Sequence, residues 1–130
     1  MTLSVSKEAL EWFTHEQLHW ANAQEAFFQA WKRGVDIAGP HWFGDGSREG
    51  LSRATDKWNL CPRTREISDA LGVMSRGERL FLAAMVSVYN AADGAAMLHR
   101  CGFEGLSDFE GLDLARRQVI ADLVLNYVGW

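Results

Sequence analysis

Read along the chain, apolar and polar residues recur with the period of an α-helix almost throughout. Ser6 is placed to cap a first helix that the pattern carries over residues 7–33, with Gly34 as its stop. At about 100° per residue, Leu10, Phe13, Trp20, Phe27, Phe28 and Trp31 fall on one broad face with Gln17 and Gln24, and Lys7, Glu11, Asn22, Glu25, Gln29 and Lys32 fall opposite. This predicts a helix packed along its whole length with one wet side. Residues 34–47 lose the period and carry Gly39-Pro40 and Gly44-Asp45-Gly46, which predicts a loop. Its Trp42 and Phe43 suit a lid over the core, and a loop of this length is also a place to look for function, with His41 and Asp45 as polar members.

Ser47 predicts a second helix to about Leu60, with Leu51, Ala54 and Trp58 on one side and Cys61-Pro62 as its stop. A short helix is expected from Thr64 to Gly72. Ser75-Arg76-Gly77-Glu78 has the form of a capping box, and the run from Leu80 to Tyr89 is apolar nearly all round, the mark of a central buried helix. Residues 90–93 read as a break, Gly94 to Cys101 as a further helix closed by Gly102. The tetrapeptide Phe103-Glu104-Gly105-Leu106 recurs as Phe109-Glu110-Gly111-Leu112, too short a period for a solenoid, with its apolar members expected inside and its glutamates wet. Asp113 caps a last helix whose Leu114, Ile120, Leu123, Val124, Tyr127 and Val128 predict deep packing. The expectation is an all-α fold: residues 1–130 as a single-domain compact bundle of five to six helices, one of them long and N-terminal.

Composition is that of a folded globular chain. With 130 residues, 48% hydrophobic and 23% charged, one core is within reach, and collagen-like, low-complexity and disordered classes are excluded. The longest nearly unbroken apolar run, Leu80 to Val88, is too short to cross a bilayer, so no membrane partner is expected. Lys7, Glu8 and Glu11 precede any stretch that would serve as a secretory signal, which predicts a cytoplasmic, bacterial type of protein. Cys61 and Cys101 lie forty positions apart without a CxxC spacing and are expected as two reduced, partly buried thiols.

One motif carries recognisable chemistry. His15-Glu16-Gln17-Leu18-His19 spells HExxH, which resembles the zinc metallopeptidases: histidines one helical turn apart share a zinc and the glutamate acts as base on the bound water. The resemblance implies a zinc-dependent hydrolase with His15 and His19 as ligands, Glu16 as catalytic base and a third ligand from elsewhere, His41 first among the candidates. Against it, Gln17 stands where an apolar residue is usual, and Asn22 and Glu25 stand where the longer motif has glycine and histidine. The alternative is two solvated histidines on a helix, with no metal and no cofactor. Phosphate-cradling glycine loops and GxSxG elbows are missing.

Charge divides unevenly around a net −4. Residues 48–79 hold seven basic side chains against five acidic, and the flanking segments each hold three against six. A nucleic-acid-binding module over residues 48–79 is therefore one alternative, although an excess of two charges falls short of a dense basic stripe. Tryptophan and arginine anchor protein interfaces, and six tryptophans are many for one small domain. The leading expectation is a non-enzymatic accessory, regulatory or inhibitory protein that binds a macromolecular partner, most simply another protein. Trp12, Trp42 and Trp58 with Arg48, Arg53, Arg63 and Arg65 are the expected contact residues. The stretch SRGERLFLAAMVSVYN…GLDLARRQVIADLVLNYVGW resembles small proteins of bacterial mobile elements, which implies an anti-defence inhibitor or a plasmid-maintenance factor. An acidic surface that mimics nucleic acid would be one mechanism for such a protein.

Overall fold

The computed structural model describes residues 6–130; the first five residues of the expected domain lie outside it. Among the described residues the fold is all-α, with six α-helices: α1 (Lys7–Ala38), α2 (Arg48–Arg53), α3 (Thr64–Ala70), α4 (Arg76–Tyr89), α5 (Ala91–Arg100) and α6 (Leu114–Leu125). Short 3-10 turns at Pro40–Trp42, Lys57–Leu60, Leu71–Val73 and Leu106–Gly111 join them. Among the described residues no helix is long and apolar enough to cross a membrane.

The centre is α4, as its sequence predicts. Every residue from Leu80 to Val86 is buried, and Ser75 caps the helix by accepting from the Glu78 amide at 3.3 Å. The Glu78 carboxylate accepts from the Ser75 hydroxyl at 3.0 Å rather than from the Ser75 amide, so the serine cap forms without the reciprocal half of the expected capping box. Asn90 alone separates α4 from α5, where a four-residue break is expected. Its amide donates to the Val86 carbonyl at 2.7 Å and its side chain accepts from Asp93 at 3.0 Å, so one residue ends one helix and starts the next.

Along α1 the structure corrects the expected end. Gly34 is buried inside the helix, and a Cβ there would lie 2.7 Å from Met85 Cε and 3.0 Å from Val119 Cγ1. The glycine is there because α1, α4 and α6 meet closely, and the helix continues a further turn to Gly39. That residue, at φ +113°, breaks it and returns its amide to the Val35 carbonyl. The connecting loop is thus 39–47. Phe43 in it is 1% exposed and forms an isolated antiparallel bridge with Pro62, the lid expected of the loop aromatics.

The second helix is shorter than expected. It stops at Arg53, because the Asn59 side-chain oxygen takes the Thr55 and Asp56 amides at 2.9 and 3.2 Å and so competes with helix propagation. Trp58 consequently sits on a 3-10 turn and is exposed, whereas Leu51 and Ala54 are buried. Of the doubled tetrapeptide, Phe103, Phe109 and Leu112 pack inward and both glutamates are exposed, but Leu106 is exposed as well.

Antiparallel to α1 runs α6, held by the Arg33–Asp122 ion pair and by Val119 at Gly34. Val119 and Leu123 are buried and Ile120 half-buried. Leu114, Val124, Tyr127 and Val128, expected inside, are exposed, because α6 covers the body on one side and none of the described residues covers its other side. The last residue, Trp130, turns back and packs edge-on against Trp31 and Tyr89, with centroids 4.7 and 5.1 Å apart.

Three aspartates hold local turns by accepting backbone or hydroxyl hydrogens, and each has its pKa drawn below the ordinary carboxylate value. Asp45 is lowered by the Ser47 hydroxyl and amide, Asp108 by the Glu104 and Gly105 amides, and Asp113 by the Arg116 amide at the start of α6. A depressed pKa contributes stability that is present above the unfolded value and lost as pH falls through the folded one. The urea midpoint is therefore expected to fall as pH is lowered from about 5 through the carboxylate range. Asp113→Asn, which keeps a cap oxygen without the charge, should flatten that decline; an equal decline in both proteins would show that Asp113 contributes none of it.

Candidate functional site

The first three turns or so of α1 leave the globule. Burial along the helix begins at Ala23, and the first tertiary hydrogen bond described is from His19, whose Nε2 lies 3.0 Å from the Leu125 carbonyl at the end of α6. At about 1.5 Å per residue, residues 7–18 extend roughly 18 Å beyond that point. Leu10, Trp12, Phe13 and Trp20 are 57, 66, 57 and 48% exposed. Leu10, Phe13 and Trp20 were expected on the packed face. They do continue the stripe that buries Phe27, Trp31 and Val35, but the body ends before it reaches them.

The HExxH residues lie on this projecting segment. His15 and Glu16 are exposed and His19 is half-exposed. A carbonyl only accepts, so His19 Nε2 carries the hydrogen in its bond to Leu125, which leaves Nδ1 as its one ring nitrogen free to ligate. Glu16 faces solvent and takes the Trp20 indole hydrogen at 3.5 Å, contrary to the inward lean its helical angle suggests. His41 packs against Trp42 with centroids 4.4 Å apart and ring planes tilted by 44°, in the loop beyond the other end of α1. Among the described residues no three His, Cys, Asp or Glu side chains lie close enough together to hold a metal ion. The structure therefore brings neither His41 nor any other third ligand to His15 and His19.

The seven expected contact residues do not form one surface. Trp12 stands about 28 Å along the helix axis from Trp31, the residue that packs on Phe43 beside Trp42. Trp42 is half-buried against the core. Trp58 is exposed and lines a groove of about 360 Å³ with Gln24, Glu25, Phe28 and Asp56, its ring edge-on to Trp130 at 6.0 Å. Arg48 pairs with Asp36 at 3.1 Å. Arg63 donates to the His41 carbonyl at 3.1 Å and pairs with Glu66 at 3.4 Å, so it ties the loop to α3. Arg53 lies near enough to Asp45 to favour its charge, and Arg65 lines a separate groove of about 410 Å³ between α3 and α5, beside Asp69, Asp93 and Arg100. Within the basic segment 48–79, Arg48 and Arg63 are thus matched by carboxylates, and Lys57 is bound to the Gly129 carbonyl at 2.7 Å.

Both cysteines are free and half-buried, and burial pushes each thiol above its usual pKa, away from nucleophilic use.

Sequence reasoning passed over Leu10, Phe13 and Trp20 as surface residues, and with them Val124, Leu125 and Tyr127 at the end of α6. Length is the signal that finds them. A 130-residue globule has a radius of gyration of about 14 Å and so a diameter of roughly 36 Å, whereas a 32-residue helix is about 48 Å long.

Comparison of this chain with known protein families, characterised proteins and solved structures gives no match. The resemblances to zinc metallopeptidases and to mobile-element proteins gain no support from it, and the functional reading rests on geometry.

Proposed function

We propose that this protein works by docking another protein chain, and that the projecting half of α1, with the last turn of α6 beside it, is the docking element. One observation carries the reading: Leu10, Phe13 and Trp20 lie about half exposed on a helix stripe whose continuation forms the core, and Trp12 at its edge is 66% exposed. Scattered exposed leucines are ordinary, but contiguous aromatic surface is costly in water and is the composition of interface hot spots. A straight helix with one apolar stripe best receives another apolar helix face, laid along it. Trp12 keeps its expected contact role in this reading. Trp42, Trp58 and the arginines at 48, 53, 63 and 65 do not share the surface.

The reading is tested by affinity capture from the native host with the wild type and with a Leu10→Ser, Phe13→Ser double variant. Both side chains are exposed, so the variant should keep the wild-type circular dichroism and melting temperature while losing the captured chain. The same proteins recovered by both baits would overturn it.

A further inference from the structure

We infer that the chain covering this stripe is a second copy of the protein, and that two α1 arms pair antiparallel about a two-fold axis. The inference rests on the docking reading above and names its partner.

Three properties of the arm point to self-pairing. The first is area. Leu10, Trp12, Phe13 and Trp20 on the arm, with Leu125 and Tyr127 where α6 ends beside it, leave roughly 700 Å² of side-chain surface in water, taking large side chains at about 150–250 Å² each and their exposures. A stable protein–protein interface covers about 800 Å² per partner, and the largest patch on an ordinary monomer is about 300–600 Å². With Trp12 at the edge of the stripe and the flanking Ala9, Glu16 and Gln17, this surface approaches what one copy contributes to a dimer.

The second property is charge. Within residues 7–22 the stripe of Leu10, Phe13, Gln17 and Trp20 holds a single charged group, Glu16; Lys7, Glu11 and Asn22 lie on the opposite side of the helix, and Trp12, at the stripe's edge, borders Glu8 and touches the His15 ring. A surface so nearly neutral does not repel its own copy, and it offers little to a strongly charged partner. The third is access. The arm stands about 18 Å clear of the body, so two arms lie side by side without the globules colliding. An isologous contact of this kind closes on itself and needs no further copies. Antiparallel pairing also sets each helix N-terminus against the C-terminal direction of its neighbour, the favourable arrangement of helix dipoles.

Sedimentation equilibrium of the full chain is the test. Micromolar wild type is expected at twice the mass of one chain. The Leu10→Ser, Phe13→Ser variant is expected as a folded monomer, its dimer weakened by at least about a hundredfold, since two anchors are lost from each copy. Glu16→Leu removes the one charge from the stripe and should tighten the dimer by about tenfold or more. A wild type that stays monomeric throughout overturns the pairing, as does a double variant that remains dimeric or a Glu16→Leu variant that dissociates more readily. A monomeric wild type whose arm still captures a different protein would overturn the self-pairing and leave the docking reading intact. Capture that ignores the arm, with a monomeric wild type, would sink both.

Discussion

Gly94→Ala is expected to destabilise the protein by about 3 kcal/mol or more, although it replaces the poorest helix former short of proline with the best. In an exposed helix the substitution gains about 1 kcal/mol. At Gly94 the added Cβ would fall among the backbone atoms of Ser87, on the neighbouring helix α4. Backbone does not swing aside as a side chain end does, so α5 would have to move outward as a unit. Overpacking of this kind costs about 1–3 kcal/mol and more where no rotamer relieves it. The steric term therefore outweighs propensity. Gly77 is the control: it lies in the first turn of α4 with its nearest neighbour, the Gly111 carbonyl, 3.5 Å from a built Cβ. Gly77→Ala should leave stability unchanged or raise it by about 0.5 kcal/mol. Urea denaturation followed by circular dichroism measures both. A Gly94→Ala protein as stable as the wild type would show that α4 and α5 do not need their present separation.

The same crossing explains part of what the sequence hides. The period of the apolar residues, the cap residues Ser6, Ser47, Ser75 and Asp113 and the all-apolar run of α4 are local signals, and the helices they predict are present. A glycine, by contrast, has two meanings in a helical pattern. It stops a helix where the backbone needs a positive φ, as at Gly39, and it thins a helix where another one crosses, as at Gly34 and Gly94. The two are told apart by what lies across the contact, which may be fifty or more residues away in the chain, as Met85 is from Gly34. The break at Ala54–Asp56 was hidden for a related reason. It depends on one asparagine side chain, Asn59, reaching back to two amides, a bond that periodicity does not record.

Periodicity likewise identifies a face without saying how far it is covered. Phe13 and Trp31 read alike on the helical wheel, and the structure buries one and exposes the other because the body is shorter than α1. For that reason the sequence names the large aromatics without their setting: Trp12 lies on the projecting part of α1, whereas Trp42 packs against the core and Arg48 and Arg63 pair with Asp36 and Glu66. Of the HExxH residues, His19 meets the Leu125 carbonyl, and among the described residues no group of three His, Cys, Asp or Glu side chains lies close enough together to hold a metal ion, a tertiary fact that the local spelling does not record.

Trp31→Ala is expected to cost about 4–6 kcal/mol, the largest loss of any single truncation here, and to lower the melting temperature by roughly 15 °C or abolish folding. Trp31 is fully buried and joins the parts of the fold that periodicity does not connect. Its ring stacks on Phe27 within α1 and meets Phe43 of the loop edge-on at 5.7 Å, and the terminal Trp130 packs against it. Its indole N–H donates at 2.9 Å to the Leu60 carbonyl, in a buried bond that holds the 3-10 turn at 57–60 to α1. Truncation removes the packing, at about 3–5 kcal/mol for an aromatic core residue, and leaves that carbonyl without a donor, at about 1–3 kcal/mol. The two terms are not fully additive, since water entering the cavity would satisfy the carbonyl at the expense of the apolar walls. Against a total stability of about 5–15 kcal/mol, the variant sits near the edge of folding. Trp31→Phe separates the terms: it keeps most of the ring contact and loses the hydrogen bond, so it should fall between the wild type and Trp31→Ala. If Trp31→Phe proves as stable as the wild type, the Leu60 bond contributes nothing. If Trp31→Ala costs less than about 2 kcal/mol, the loop, the turn and the terminal tryptophan are held to α1 by other contacts.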